Sequence, residues 1–284
     1  MWNTYFSPEN IQDALQIINR GPDQSRIIAG GTDLVLDFSS GRLPPVDAVV
    51  DISNIPELKI ISKDSESITI GSAVTLSEII HSDLIQNHAG ILSEAAQQIA
   101  GLQIRNIATL GGNVVNASPA ADMVPPLLVQ ECMVIIINSD QVIREIPLEN
   151  FLQGNRQVDL SRCEIVTGFK FQVPEAKTIQ YFRKVQNRGS MAIAVLNLAV
   201  FMGIKDKHIA QVRIAMGAVA PTAVRIKSIE ERLTGLPIYE ADNPQIYNEI
   251  HKDIAPISDF RATRNYRLRV AQSITRQAVV QMLG

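Results

Sequence analysis

The chain has 284 residues, 46% hydrophobic and 19% charged, with a formal net charge of −3 at pH 7. That is the composition of a water-soluble globular protein, long enough for one large domain or two ordinary ones. The balanced charge, without a long Lys/Arg cluster, argues against nucleic acid or an anionic membrane as main partner, and no apolar run approaches the roughly 20 residues that span a bilayer.

Ser7-Pro8 reads as an N-cap with proline at the first helical position, and Ile11, Ala14, Leu15 and Ile18 recur at helical spacing until Gly21. Arg26 to Ala29 reads as a short strand, Thr32 to Phe38 as a helix closed by Gly41, and Asp47 to Ile52 as the next strand. Together they form a βαβ unit. Leu58 to Ser62 and Ser67 to Gly71 read as a hairpin, and His88 to Ala100 as an amphipathic helix. A short apolar helix is expected at Val124 to Val129. Strands are expected around Val134–Ile137, Val142–Ile146, Glu164–Val173 and Ile179–Gln186. Pro174-Glu175-Ala176-Lys177 marks a domain boundary. Beyond it, strands over Ala192–Ile204 and His208–Val219 precede helices starting near Arg225, Asn243 and Arg264, the order of a separate α+β domain.

Several chemistries have no residues to carry them. Cys132 and Cys163 are far apart and no C-x-x-C pair exists, so neither a disulfide scaffold nor an iron–sulfur site is expected. His81, His88, His208 and His251 lack metal-ligand spacing, and no H-E-x-x-H or G-x-S-x-G occurs. Met1 to Tyr5 do not open a basic-then-apolar leader, so a cytoplasmic location is expected. Any enzymatic chemistry is expected to belong to a cofactor.

Two glycine pairs stand out. Ile27-Ile28-Ala29-Gly30-Gly31-Thr32-Asp33-Leu34 places one after a strand, and Ile107-Ala108-Thr109-Leu110-Gly111-Gly112-Asn113 carries the other. Paired glycines allow positive φ and let backbone N–H groups approach a ligand without an obstructing Cβ. The first pair precedes a helix, whose free N–H groups and dipole favour an anion. Either pair alone is equally a structural turn, and neither is a dinucleotide fingerprint or a phosphate-loop motif. Physical chemistry alone therefore predicts an anion or nucleotide site.

The particular residues go further. Ile104-Arg105-Asn106-Ile107-Ala108-Thr109-Leu110-Gly111-Gly112-Asn113, followed by Ala117-Ser118-Pro119 and Asp122, closely resembles the flavin-binding signature of the molybdenum hydroxylases, in their FAD-binding subunit or medium chain. Ala29-Gly30-Gly31-Thr32-Asp33-Leu34 resembles that family's first FAD loop. The likeness continues through Phe182-Arg183-Lys184-Val185 with Arg188, then Arg213 to Thr222, Ile257 to Arg261 and Tyr266-Arg267, covering nearly the whole chain in order.

The resemblance implies an α+β fold: a vanillyl-alcohol-oxidase-type FAD-binding module over residues 1–174, in subdomains of about 1–55 and 56–174, then a smaller C-terminal domain over 178–284 with an antiparallel sheet and helices. It also implies roles by position. Ile27, Ile28, Ala29, Gly30, Gly31, Thr32, Asp33 and Leu34 would wrap the pyrophosphate with backbone amides. Thr109, Gly111, Gly112 and Asn113 would approach from the other side, with Ser118 beside them. Asp122 would lie by the ribityl or flavin region, Ile99 and Val166 would give apolar contacts, and Lys184 would sit near the flavin. The residues leave rivals open. Asp122 also suits an N-cap, Lys184 a solvated strand position, Ile99 the core, and Arg105 a loop-orienting role through backbone carbonyls.

The family pattern often carries an acidic residue where this chain has Ala192, and the extra cysteines of some relatives are absent. As a member of such a complex, the chain would hold FAD, with the molybdenum cofactor on a large partner subunit and [2Fe–2S] clusters on a small one. It would pass electrons through FAD to NAD or another acceptor. No general base and no metal ligand is assigned. A xanthine dehydrogenase-type complex is expected. A carbon monoxide, aldehyde or N-heterocycle dehydrogenase medium chain, a self-contained flavin oxidase and a non-enzymatic assembly subunit are the alternatives.

Overall fold

The computed structural model describes residues 1–22, 24–174 and 178–284. Glu175, Ala176 and Lys177 of the expected boundary lie outside the described residues.

The chain begins with β1 (Trp2–Phe6), α1 (Ile11–Arg20), β2 (Ser25–Ile28), α2 (Leu34–Ser39) and β3 (Val46–Asp51). The three strands form a parallel sheet in the order β1-β3-β2. The apolar face of α1, Ala14, Leu15 and Ile18, packs on Val50, Ile52 and Ile55. Asn10, not Ser7, caps that helix: its side chain accepts from the Asp13 N–H at 2.8 Å. Asn10 directly precedes the helix that begins at Ile11, where its side chain reaches the first-turn N–H groups that Ser7 is too far back to meet. Strand β1 was not foreseen. It is five residues long and largely exposed, and its pairing partner β3 lies far along the chain.

A second layer follows: β4 (Ile61–Lys63), β5 (Ser67–Gly71), α3 (Leu76–His81), α4 (Asp83–His88), α5 (Gly90–Gln97), α6 (Leu102–Arg105), α7 (Leu110–Val115), α8 (Val124–Val129), β6 (Met133–Asn138), β7 (Ile143–Pro147), α9 (Leu148–Phe151), a ribbon of β8 (Leu152–Gly154) and β9 (Gln157–Val158), and β10 (Glu164–Gln172). An antiparallel sheet runs β4-β5-β10-β6-β7. Its residues Ile68, Ile70, Val134, Ile136 and Phe169 share one core with Leu76, Leu92, Leu110 and Leu127 of the helices. The helix expected over His88–Ala100 is shorter, α5 covering Gly90–Gln97: Ala89 takes φ −142°, ψ 47° and separates it from α4, which ends at His88. Helix α8 falls where expected, led by an apolar stretch with two prolines in its first turn.

The last part comprises β11 (Thr178–Val185), β12 (Leu196–Lys205), β13 (His208–Gly217), β14 (Val224–Arg225), α10 (Lys227–Leu233), α11 (Pro244–Tyr247) and α12 (Arg264–Leu283). The antiparallel sheet β11-β12-β13-β14 is covered on both faces. Leu198, Val200, Met202 and Ile214 pack on Ile229, Leu233 and Val279. Phe182, Ala199, Phe201 and Ala215 join the core of the preceding layer. Burial on two sides is why β12 reads as a continuous apolar run and not as an alternation. The α+β expectation is met.

Candidate functional site

The first glycine pair lies between β2 and α2, at the end of a parallel strand. Gly31 takes φ +67°, which disfavours any side chain. A Cβ on Gly30 would overlap the Ile107 carbonyl oxygen, so this glycine lets the two glycine-bearing segments touch. None of the backbone N–H groups of Gly30, Gly31, Thr32 and Asp33 bonds to a described residue. The Asp33 carboxylate accepts from Asn116 Nδ2 at 3.0 Å, which ties α2 to the end of α7.

The second pair is different from the expected loop, because Gly111 and Gly112 sit inside α7. Thr109 caps the helix, accepting from the Gly112 N–H at 3.0 Å. The Leu110 and Gly111 N–H groups donate to the carbonyls of Val74 and Ser72 at 2.9 and 2.8 Å. A Cβ on Gly111 would lie 2.6 Å from the Ser72 carbonyl oxygen, so glycine here is required by close packing. Gly112 is exposed, and a Cβ there would meet only Thr109 Oγ1, at 3.0 Å. The second segment therefore spends its amides on the fold and presents a bare face, whereas the first keeps its amides free. Asn113 Oδ1 accepts from the Met123 N–H at 3.3 Å.

Asp122 immediately precedes the N-cap of α8, but that cap, Met123, makes no side-chain bond. Its carboxylate goes elsewhere: Lys184 Nζ donates to Oδ2 and Asn197 Nδ2 to Oδ1, both at 2.7 Å. Lys184 also donates to the Gln98 carbonyl at 3.0 Å. Burial pushes the Asp122 carboxyl up, while Lys184 and Asn197 hold against that rise by favouring the charged form. Lys184 is thus a buried partner in an ion pair and not a solvated strand residue.

The remaining positions divide. Val166 is buried in β10 and Ile99 packs half-buried on the same core. Ser118 Oγ accepts from the Ala120 N–H at 3.3 Å. Arg105 donates to the Ile99 and Ala100 carbonyls at 3.0 Å, so it orients the turn after α5. Ile27 to Leu34 and Thr109 to Asn113 come together through the Gly30–Ile107 and Asp33–Asn116 contacts. Asp122 and Lys184 come together with each other. Asn116 and Asn197 were not foreseen. The one available signal was a lone Asn197 within an apolar strand; Asn116 gave none.

The residues present fit a flavin dinucleotide. The N–H groups of Gly30, Gly31, Thr32 and Asp33 are unbonded on a segment that touches the second glycine-bearing segment at Gly30, and the Ser72 hydroxyl beside Gly111 is buried without a partner. Among the described residues no group of His, Cys, Asp and Glu could hold a metal ion, and no helix is long and apolar enough to cross a membrane.

Two family models match the chain: "FAD binding domain in molybdopterin dehydrogenase" over residues 2–176, and "CO dehydrogenase flavoprotein C-terminal domain" over residues 180–282. The chain is 31% identical to the xanthine dehydrogenase FAD-binding subunit of Escherichia coli O157:H7, covering 99% of this chain and 96% of that one. It is 28% identical to the nicotinate dehydrogenase FAD-subunit of Eubacterium barkeri, covering 98% and 95%. The carbon monoxide dehydrogenase structure from Hydrogenophaga pseudoflava shares the fold, with TM-score 0.92 at 23% identity and coverage of 98% and 96%. The family models and the end-to-end similarity together show that the chain belongs to the family of FAD-binding subunits of the molybdopterin-containing dehydrogenases.

Proposed function

We propose that this chain is the FAD subunit of a xanthine dehydrogenase-type molybdenum hydroxylase. It would work beside a large subunit holding the molybdenum cofactor and a small subunit holding [2Fe–2S] clusters, with NAD or another compound as terminal acceptor. Residues 1–174 would form the FAD-binding domain and residues 178–284 the C-terminal domain. The observation that carries the reading is the end-to-end similarity to a xanthine dehydrogenase FAD-binding subunit, 31% identical over 284 residues. Relatives named for glyceraldehyde, nicotinate and carbon monoxide, at 28%, 28% and 25% identity, make a medium chain of such an enzyme the second reading.

Bound FAD would supply the junction between one-electron donors and a two-electron acceptor. The chain's own residues bind and orient. Ile27 to Leu34 would offer unbonded amides to the pyrophosphate, and Thr109, Gly111, Gly112 and Asn113 with Ser118 would form the opposing wall. Asp122, Ile99, Val166 and Lys184 would surround the flavin end, where Asp122 neutralises most of the lysine's charge. Co-expression with the neighbouring large and small subunits tests the assignment. The expected result is a three-subunit complex containing FAD that reduces NAD with xanthine. A complex that turns over carbon monoxide, an aldehyde or an N-heterocycle in preference would establish the second reading.

A further inference from the structure

Lys184, Asn197 and Gly217 stand directly opposite one another on β11, β12 and β13. They continue the sheet face that carries Phe182, Ala199 and Ala215 into the N-terminal core. This row therefore replaces apolar packing with an ammonium, a carboxamide and a gap, and the first two donate to Asp122. Asn197 is fully buried, and its side chain fills the space where a Gly217 Cβ would overlap its Oδ1. The next residue, Ala218, donates its N–H to the Pro119 carbonyl at 2.6 Å. The segment from Pro119 to Asp122 is held by two donors of the C-terminal sheet, Lys184 and Asn197, and by the Ala218 N–H just beyond it.

We propose that Asn197 is a positioning residue for the flavin site: its carboxamide, admitted by Gly217, fixes the second oxygen of Asp122 and so sets the placement of that carboxylate toward FAD. This rests on the reading of Asp122 as a residue of the FAD site. An apolar residue at position 197 would pack as well on the core face but would leave one oxygen of a buried carboxylate without a donor, which is costly. Asn197 Oδ1 itself has no hydrogen-bond partner, so the residue contributes through its amide donor. The charged group facing the Asp122 carboxylate is Lys184 from β11, whose ammonium also donates to the Gln98 carbonyl; the other partner, Asn197 from β12, is neutral.

The test uses the whole chain, free FAD, the variants Asn197→Asp and Gly217→Ala, and the second change repeated in an Asn197→Ala background. Asn197→Asp keeps the shape and replaces the donor with a second carboxyl, so that Asp122 regains a donor at this oxygen only when the pair holds a proton. FAD binding should weaken about tenfold at pH 8 relative to wild type. The ratio of the two dissociation constants should fall toward one as the pH is lowered and the carboxyl pair takes up a proton that restores a donor. Gly217→Ala displaces Asn197 and should weaken FAD binding by a similar factor, but add little to an Asn197→Ala background. Wild-type affinity in both variants at every pH, with only the melting temperature lowered, overturns the positioning role while leaving the FAD site standing. A tenfold loss in Asn197→Asp that does not change with pH also overturns it, since a packing defect has no proton to regain. Wild-type protein that binds no FAD at all instead overturns the site reading on which the proposal rests.

Discussion

Lys184 Nζ lies 2.7 Å from Asp122 Oδ2, with side chains only 2% and 9% exposed, and the pair joins the C-terminal sheet to the segment that leads into α8. An ion pair so dry is worth little net, because desolvation offsets most of the attraction. Breaking it by removing one partner strands the other charge. Lys184→Met is therefore expected to cost about 3–5 kcal/mol of unfolding free energy. The double variant Asp122→Leu with Lys184→Met should cost less than the two single changes summed. Denaturant titrations of the four proteins give the coupling; strict additivity would mean that the pair does not interact in solution.

Gly30, Gly31 and Gly112 should separate by mechanism. Gly30→Ala drives a Cβ into the Ile107 carbonyl and should lower stability by about 1–3 kcal/mol, whatever the cofactor does. Gly112→Ala meets only a hydroxyl and should leave the melting temperature of the cofactor-free chain nearly unchanged. Gly31→Val and Gly112→Val should both reduce flavin content measured by visible absorption. Full flavin occupancy in both would remove these loops from the site.

A third expectation concerns acid. Arg261 and Arg267 both reach the Asp259 carboxylate, at 2.6 and 2.7 Å, and hold its pKa well below the usual carboxylate range despite opposing desolvation. Because the folded pKa is depressed, this group stabilises the fold above its unfolded pKa, near 4. That contribution is lost as the pH falls through the folded value. Asp259→Asn should lower the urea midpoint at neutral pH, and the gap to wild type should narrow as the pH drops below about 4. A gap that widens toward acid would reverse the assignment.

The two thiols should behave differently. Cys132 is buried and its thiol is pushed up by desolvation, while Cys163 is half-exposed. Folded protein should titrate one thiol with a colourimetric disulfide reagent at pH 8, and denatured protein two. Rapid labelling of both in the native state would mean that the core around Cys132 opens readily.

Much of this protein is determined locally. The apolar repeat of α1, the proline-led α8, the strands β6 and β10 and the glycine turn at Gly31 follow from residue spacing and backbone freedom within a few positions, and the family resemblance rested on such short stretches. What spacing could not provide is partnership across the chain. Strand β1 exists because β3 accepts it, and α4 separates from α5 because Ala89 leaves helical geometry. Gly111 proved to sit inside a helix, where packing under Ser72 requires a glycine. Lys184, which local pattern allows on a solvated strand and the resemblance implies near the flavin, is buried because Asp122 and the Gln98 carbonyl lie opposite it. Charge and hydrogen-bonding capacity belong to the sequence. Which carboxylate a buried ammonium meets is decided only when two distant segments close around it and exclude water.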